Sequence, residues 1–234
     1  MEYRRQLDAD ALTNPLARVF FGNPMCNLYS LRKGPAAILD LARATENQAG
    51  NLEGGSVYPD YAAPIVRQDA TNGVRVLATA RWGLPSPAFA LEGKKVDKGV
   101  TDVRNTSSPH WRRWLKPENR CLVPFTAFSE PGRNAEGKYE PVWFRLAGED
   151  PEPLAFFAGV WVPQWTSTRK LKEGEITTDL YAFLTTEPNA EVGAVHPKAM
   201  PVILTEAEEF ETWLSAPWDI AKELQRPLAD GALV

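Results

Sequence analysis

The stretch AAPIVRQDATNGVRVLATARW, residues 62–82, has two apolar runs on either side of Asn72-Gly73. Asn-Gly is the dipeptide favoured in tight hairpin turns, so the stretch predicts antiparallel strands over residues 62–67 and 74–82. Other runs rich in Val, Phe, Trp and Tyr have the composition of strands. They predict five further strands over residues 120–128, 139–146, 154–162, 179–185 and 200–204.

Helical patterns in the sequence are short and lie between or after these strands. Residues 36–44 and 108–116 each follow or contain an early proline, which suits the first turn of a helix. Thr205 and Glu208 have capping-box spacing before apolar residues at helical spacing. Many strands with few long helices predict an α+β protein with a curved, mainly antiparallel, barrel-like sheet and peripheral helices. A doubly wound parallel sheet is not expected.

Length and composition fit a single domain, because the chain has 234 residues of which 44% are hydrophobic. We expect an N-terminal extension over residues 1–24 that is not part of the mature protein, a domain over 25–220 and a tail over 221–234. Neither a secretion signal nor an apolar run of 18 residues is present. We therefore expect a cytoplasmic, nucleoid-associated monomer that does not bind membranes.

Charge is unevenly distributed along the chain, whose net charge is −4. Residues 81–120 contain nine basic and four acidic residues, so this stretch carries +5. Such a local patch suits an acidic partner, although an ordinary solvated surface explains it equally well. Two cysteines and two histidines are too few for a disulfide framework or a structural zinc site, so we expect neither a metal nor a cofactor. We expect Cys121 to be buried and inert.

Two residues with nucleophilic or acidic groups stand in unusual settings. Cys26 follows Met25, and a methionine before a small residue resembles a genuine start; a buried cysteine is the ordinary alternative. Glu130 ends the strand-like run over residues 120–129. A carboxylate at the end of an apolar strand can have a raised pKa and exchange protons near neutrality, or it can be an exposed turn residue.

Two further polar residues lie close to predicted strands. His196 precedes the strand predicted over residues 200–204, where it could exchange protons at physiological pH or serve a structural role. Asn105 follows Arg104, and its amide could orient a ligand or cap residues 106–108. Each signal is weak by itself.

Taken in order, these residues resemble the SRAP family, the SOS response-associated peptidase domain, over about residues 25–214. The matching pieces are Met25-Cys26, Arg81-Trp82-Gly83-Leu84, the Asn105 region, Arg120-Cys121-Leu122-Val123-Pro124, Phe128-Ser129-Glu130, Ala158-Gly159-Val160-Trp161, Thr185-Thr186-Glu187-Pro188-Asn189, His196 and Met200-Pro201-Val202-Ile203-Leu204.

The resemblance implies that an N-terminal cysteine captures the open-chain aldehyde of an abasic site in single-stranded DNA as a thiazolidine. It assigns the catalytic set to Cys26, Asn105, Glu130 and His196. Glu130 would act as the general acid or base, His196 would shuttle protons during Schiff-base chemistry, with lyase activity, and Asn105 would hold the adduct. The DNA-binding candidates are Arg81, Trp82, Arg104, Arg112 and Arg113, with Trp82 alternatively part of the core.

Thiazolidine chemistry requires the sulfur and the free amine of the same cysteine. An amide nitrogen cannot add to an aldehyde, because its lone pair is delocalised into the carbonyl. Cys26 can therefore close the ring only when residues 1–25 are absent, and we expect Met25 to be the start or the extension to be cleaved. Two alternatives are a cysteine peptidase with Cys26 as nucleophile and His196 as base, and a non-covalent binder of damaged single strands.

The sequence departs from the family pattern in three places. Arg104-Asn105-Thr106-Ser107 replaces an Asn-Ala-Arg-like segment, so an arginine two places after Asn105 is missing. Ala127-Phe128-Ser129-Glu130-Pro131 replaces Gly-Phe-Tyr-Glu-Trp. The segment from His196 to Pro201 is one residue longer than His-x-Arg-Met-Pro. Glu130 and His196 are present despite these differences, so the expected chemistry is better supported than the expected DNA contacts.

Overall fold

The computed structural model describes residues 28–234, which form mainly β-strands with short helices between them. The strands are β1 (Leu28–Leu31), β2 (Glu46–Asn47), β3 (Gly55–Val57), β4 (Ala62–Gln68), β5 (Arg75–Trp82), β6 (Asp102–Val103), β7 (Arg120–Phe125), β8 (Ala127–Arg133), β9 (Tyr139–Phe144), β10 (Ala155–Thr168), β11 (Glu175–Thr186), β12 (Met200–Pro201) and β13 (Ile203–Leu204). The α-helices are α1 (Pro35–Ala42), α2 (Ala88–Leu91), α3 (Pro109–Arg112), α4 (Ala190–Gly193), α5 (Ala207–Ser215) and α6 (Trp218–Ala221).

Five of these strands form a closed barrel. The order β5-β4-β7-β10-β11 is antiparallel throughout, and β11 returns to pair in parallel with β5. Leu180 faces Arg81 and Tyr181 faces Trp82 in this closing pair. Closure removes the exposed edges that an open sheet would present. The predicted α+β fold with a barrel-like, mainly antiparallel sheet is confirmed.

Successive residues along the barrel strands contribute to two separate hydrophobic clusters. Phe156 on β10 packs in the cluster that contains Trp213 of α5 and other helix residues. Its neighbour Phe157 packs in the second cluster, with Tyr29 of β1 and Phe128 of β8. This alternation follows from the two-residue period of a strand, and it lets one strand support both layers.

A second, four-stranded antiparallel sheet has the order β3-β1-β8-β9. The chain passes from the barrel into this sheet at Thr126, whose backbone N–H and Oγ1 both donate to the carbonyl oxygen of Ser30. The predicted strand over residues 120–128 is therefore two strands in two sheets. Glu130 does not end a strand, as the sequence suggested, but lies within β8 opposite Val142 and is 1% exposed.

The predicted hairpin at Asn72-Gly73 is present, but its turn is longer than two residues. The paired strands end at Gln68 and begin again at Arg75. The N–H of Asp69 donates to the carbonyl oxygen of Val74, and Gly73 takes the left-handed conformation that the turn requires.

The helices also differ in detail from the sequence prediction. The segment over residues 108–116 contains only one helical turn, α3. The capping box of α5 is formed by Glu206 and Glu209 rather than by Thr205 and Glu208. Shifting the box by one residue still places Phe210 in the core, as the helical spacing predicted.

The C-terminal residues pack beside β9. The N–H groups of Arg145 and Val234 each donate to the carbonyl oxygen of the other residue, and Leu146 forms a bridge with Leu233. The side chains of Leu228 and Leu233 are buried in the second hydrophobic cluster.

Candidate active site

Glu130 is a buried carboxylate in the middle of β8. The preceding residue, Ser129, faces Leu28 on β1, and the following residue, Pro131, faces Pro141 on β9. Pairing on both sides leaves little room for water around the side chain. Burial raises the pKa of Glu130 above its usual range, although contact with His196 opposes the shift.

His196 lies directly against this carboxylate. Nδ1 of His196 is 2.9 Å from Oε2 of Glu130, which is an ion-pair distance, although the two atoms are not aligned as a hydrogen bond. Contact with Glu130 raises the pKa of His196, so the imidazolium form is favoured. The pair thus holds one exchangeable proton in a site from which water is largely excluded.

The loop between β11 and β12 positions His196. Asn189 caps α4 by accepting a hydrogen bond from the N–H of Val192, and the N–H of His196 donates to the carbonyl oxygen of Val192 at 2.7 Å. Thr186 and Met200 pair at the base of the loop. These contacts hold the chain in place before and after His196. A group that transfers protons needs such a fixed position.

Asp102 is a third titratable group of the site, and the sequence analysis did not single it out. β6 pairs in parallel with β11, which places Asp102 opposite Phe183. Burial raises the pKa of Asp102 to about 8, the charge of Glu130 adds to this shift, and His196 opposes it. The backbone that precedes it is held by Trp82, whose indole N–H donates to the carbonyl oxygen of Thr101.

A signal for Asp102 was present in the sequence. Arg104 stands two places after Asp102, which is the spacing of the family's Asn-Ala-Arg-like segment with aspartate in place of asparagine. Asn105, the asparagine next to Arg104, is the residue that the family pattern indicates when an amide side chain is required.

Asn105 is exposed and is engaged in its own turn. Its Oδ1 accepts hydrogen bonds from the N–H of Ser107 at 3.1 Å and from the hydroxyl of Ser107 at 2.6 Å. This is the capping role that the sequence also allowed. Glu130 and His196 instead act electrostatically on Asp102, which lies three residues before Asn105.

Cys26 lies outside the described residues, so its side chain is not placed. Leu28, two residues later, faces Ser129 in the β1–β8 pair. The described part of the chain therefore begins beside the strand that carries Glu130.

The predicted DNA contacts fall into two groups. Arg81 is bound by acidic partners, with Nε 2.6 Å from Oδ1 of Asp60 and Nη2 3.0 Å from Glu173. Trp82 is fully buried, so it belongs to the core and not to a surface that packs against DNA. Arg81 thus pairs with acidic side chains and Trp82 packs in the second hydrophobic cluster, both on the part of β5 that pairs with β11.

The other three arginines are exposed. Arg104 makes long contacts of 3.4 Å with Glu187 and with the carbonyl oxygen of Lys198. The Arg113 guanidinium lies 4.0 Å from the ring centre of Trp114, while Arg112 is exposed on α3. Phe89 on α2, which the sequence analysis did not single out, is 76% exposed within the basic stretch.

Within residues 28–234, no group of three or more His, Cys, Asp and Glu side chains is arranged to hold a metal ion. The same part of the chain contains no helix with the length and apolar character needed to cross a membrane. Cys121 is buried and has no disulfide partner among the described residues, and burial raises the pKa of its thiol well above the usual range.

Comparison with solved structures identifies the same fold in three bacterial proteins. A protein from Bacteroides thetaiotaomicron is 20% identical with a TM-score of 0.68, covering 89% of this chain and 90% of its own. A protein from Bordetella bronchiseptica is 24% identical with a TM-score of 0.63, covering 89% and 97%. A phage-related protein from the same organism is 19% identical with a TM-score of 0.62, covering 89% and 92%.

The sequence also matches a family model. No protein with curated information matches the chain. The model that matches is described as SOS response associated peptidase (SRAP), and the match extends over residues 25–233. Since this match covers nearly the whole chain, the protein belongs to the SRAP family.

Proposed function

We propose that this protein captures abasic sites in single-stranded DNA as a covalent adduct on Cys26. Membership of the SRAP family supports a role associated with DNA damage. The observation that carries the finer proposal is the position of Leu28, two residues after Cys26, beside the strand of the acid–base pair. Leu28 pairs with Ser129, one residue from Glu130, and Glu130 contacts His196 at 2.9 Å.

The proposed adduct is a thiazolidine formed with the aldehyde of the opened sugar. The α-amine of Cys26 adds to the aldehyde carbon, water leaves, and the thiol adds to the resulting imine to close the ring. An α-amine with a pKa near 8 is partly neutral at pH 7.5 and can perform the first step. The reaction requires that residues 1–25 be absent, because an acylated nitrogen is not nucleophilic.

Glu130 and His196 suit the proton transfers in this sequence. Opening the sugar removes a proton from its hydroxyl group, and dehydration of the carbinolamine needs a proton on the leaving oxygen. A carboxylate beside an imidazolium can accept the first proton and supply the second. Because the pair is buried away from bulk water, its proton passes to the substrate and not to solvent.

Exposed arginines suit the phosphates of the bound strand. Arg104, Arg112 and Arg113 are exposed, whereas Arg81 is neutralised by Asp60 and Glu173. Proteins bind single strands through such positive charges together with aromatic rings that stack on bases. Phe89 is an exposed ring in the same basic stretch.

The test compares proteins that begin at Met1 and at Cys26 on a denaturing gel. Each is mixed with a single-stranded oligonucleotide that contains one abasic site, and the Cys26→Ser variant of the shorter protein serves as control. We expect a shifted band that survives denaturation with the Cys26-started protein alone. Binding that is lost on denaturation would reject the covalent adduct and indicate a non-covalent binder of damaged single strands.

A cysteine peptidase is a second candidate because of the His196–Glu130 contact. A histidine oriented by a carboxylate is the arrangement that activates a nucleophile in hydrolytic triads. Cys26 could then attack a peptide carbonyl with His196 as base, and the segment before Cys26 would be its nearest substrate. Intact mass of the Met1-started protein over time measures this activity, and a His196→Ala variant should abolish any cleavage.

A further inference from the structure

Asp102 presents a carboxyl oxygen that has no partner among the described residues. Oδ2 accepts the hydroxyl hydrogen of Thr101 at 2.9 Å. Oδ1 is shielded from solvent and has no hydrogen-bond partner within residues 28–234. A buried polar atom without a partner costs free energy, and such atoms often mark a place that a ligand completes.

Burial is the main reason that Asp102 favours its protonated form; the charge of Glu130 adds to this preference and that of His196 opposes it. Among the described residues, the charged groups that act on Asp102 are Glu130 on β8 and His196 on the loop after α4. Lys198 acts in turn on His196 and opposes its positive charge. One imidazolium already sits against Glu130, so a second carboxylate beside the pair would have no counter-ion of its own.

We propose that Asp102, in its uncharged form, donates a hydrogen bond from Oδ1 to the aldehyde oxygen of the opened abasic sugar. This inference rests on the proposed function and adds a residue to it. A neutral carboxyl group has one O–H donor. Since Oδ2 already accepts from Thr101, the proton belongs on Oδ1, which has no acceptor among the described residues.

Such a donor would assist the attack of Cys26 on the aldehyde. Negative charge develops on the aldehyde oxygen as nitrogen adds to its carbon, and a donor fixed at that oxygen stabilises the transition state. Removing one donor of this kind from other enzymes slows the reaction about a hundredfold or more. An ionised Asp102 would have the opposite effect, because it would repel the developing charge.

Asp102 can act as a donor only below a certain pH, and this limit distinguishes a donor role from a structural role. The pKa of Asp102 is raised to about 8, so the donor is present below this pH and lost above it. An asparagine at the same position donates through its amide and does not titrate. Asp102→Asn therefore keeps the donor and removes its pH dependence, whereas Asp102→Ala removes the donor at every pH.

The experiment measures single-turnover crosslinking by the Cys26-started protein between pH 6.5 and 9.5, with a single-stranded oligonucleotide carrying one abasic site. The rate of the original protein divided by that of Asp102→Asn should be constant below pH 8 and fall about tenfold per pH unit above it. Asp102→Ala should be about a hundredfold slower at pH 7. Binding to an oligonucleotide with a tetrahydrofuran site, which has no aldehyde, checks that each variant is folded.

Three results would overturn the role of Asp102. They are a rate ratio that stays constant up to pH 9.5, an Asp102→Ala rate equal to that of the original protein, and loss of tetrahydrofuran binding in both variants. Absence of crosslinking by the unsubstituted Cys26-started protein would instead reject the proposed function, and the donor role with it.

Discussion

Nδ1 of His196 faces Oε2 of Glu130 at 2.9 Å across the gap between β8 and the loop after α4. This ion-pair contact brings Nδ1 of the imidazole, rather than Nε2, against the carboxylate. The histidine side chain is 12% exposed and the glutamate 1% exposed, so substrate would reach the pair from the histidine side.

Replacing Glu130 with Gln tests the pair directly. We expect crosslinking to slow about a hundredfold, since a neutral amide cannot accept a proton. DNA affinity should change little, because Glu130 is buried. The pKa of His196 should fall, because contact with Glu130 is the first cause of its raised value. NMR titration of His196 measures this change, and an unchanged His196 titration would contradict the ion pair.

Asp102 should make the protein less stable as pH rises. Its pKa is raised from 3.8 to about 8, so between these values the folded protein holds a proton that the unfolded chain has released. The free energy of unfolding then falls by up to about 1.4 kcal/mol per pH unit from this group. Its stabilising contribution is complete below pH 3.8 and is lost as pH rises through 8.

The measurement is urea unfolding at pH 5 and pH 8 for the original protein and for Asp102→Asn. We expect the loss of stability between the two pH values to be smaller in the variant. Asp40→Asn, which changes an exposed carboxylate on α1, is the matched control and should leave the pH dependence unchanged. Equal pH dependence in all three proteins would contradict an uncharged Asp102.

The exposed arginines should determine how binding depends on salt. Arg104→Ala, Arg112→Ala and Arg113→Ala should each weaken binding to a tetrahydrofuran-containing single strand. Each should also reduce the slope of log affinity against log salt by about 0.7, if the residue contacts one phosphate. Fluorescence anisotropy at several salt concentrations measures both quantities.

Arg81→Ala is the control for these variants. Arg81 is 13% exposed and is paired with Asp60 and Glu173, so its loss should lower the melting temperature and leave the salt slope unchanged. A reduced slope of log affinity against log salt in Arg81→Ala would indicate that Arg81 contacts DNA.

The strands that the sequence predicted are those whose own composition identifies them, such as β4, β5, β10 and β11. β6 has two residues and exists because it pairs with β11, some 80 positions later, which no local pattern reveals. The break at Thr126 likewise depends on Ser30, 96 residues earlier in the chain. Glu130 and His196 were found from motif order, whereas Asp102 was missed because an aspartate stands where the family pattern has an asparagine, two places before Arg104.

Trp82→Phe separates a core role from a role in DNA binding. Trp82 is fully buried and its indole N–H donates to the carbonyl oxygen of Thr101 at 3.1 Å. Phenylalanine leaves that carbonyl without its partner, which should cost about 1–3 kcal/mol of unfolding free energy. Affinity for single-stranded DNA should stay within twofold. A large loss of affinity without loss of stability would place the ring at the interface.

Gly159 on β10 lies opposite Cys121 on β7. A Cβ added at this position would lie 2.6 Å from Sγ of Cys121, 2.7 Å from Cγ2 of Val123 and 3.0 Å from the carbonyl oxygen of Cys121. Trp213 also donates its indole N–H to the carbonyl oxygens of Gly159 and Cys121, so the backbone here is held from a second side. Neither strand can shift without losing these contacts.

Gly159→Ala should therefore destabilise the protein by about 1–3 kcal/mol, the usual cost of overpacking a core. Gly193→Ala is the matched control: its Cβ would lie 3.6 Å from Cγ of Pro188, an ordinary contact, and alanine favours a helix over glycine by roughly 0.5–1 kcal/mol. Urea unfolding of both variants measures the difference. Equal stability of the two would mean that β7 and β10 can separate without cost, which the Trp213 hydrogen bonds argue against.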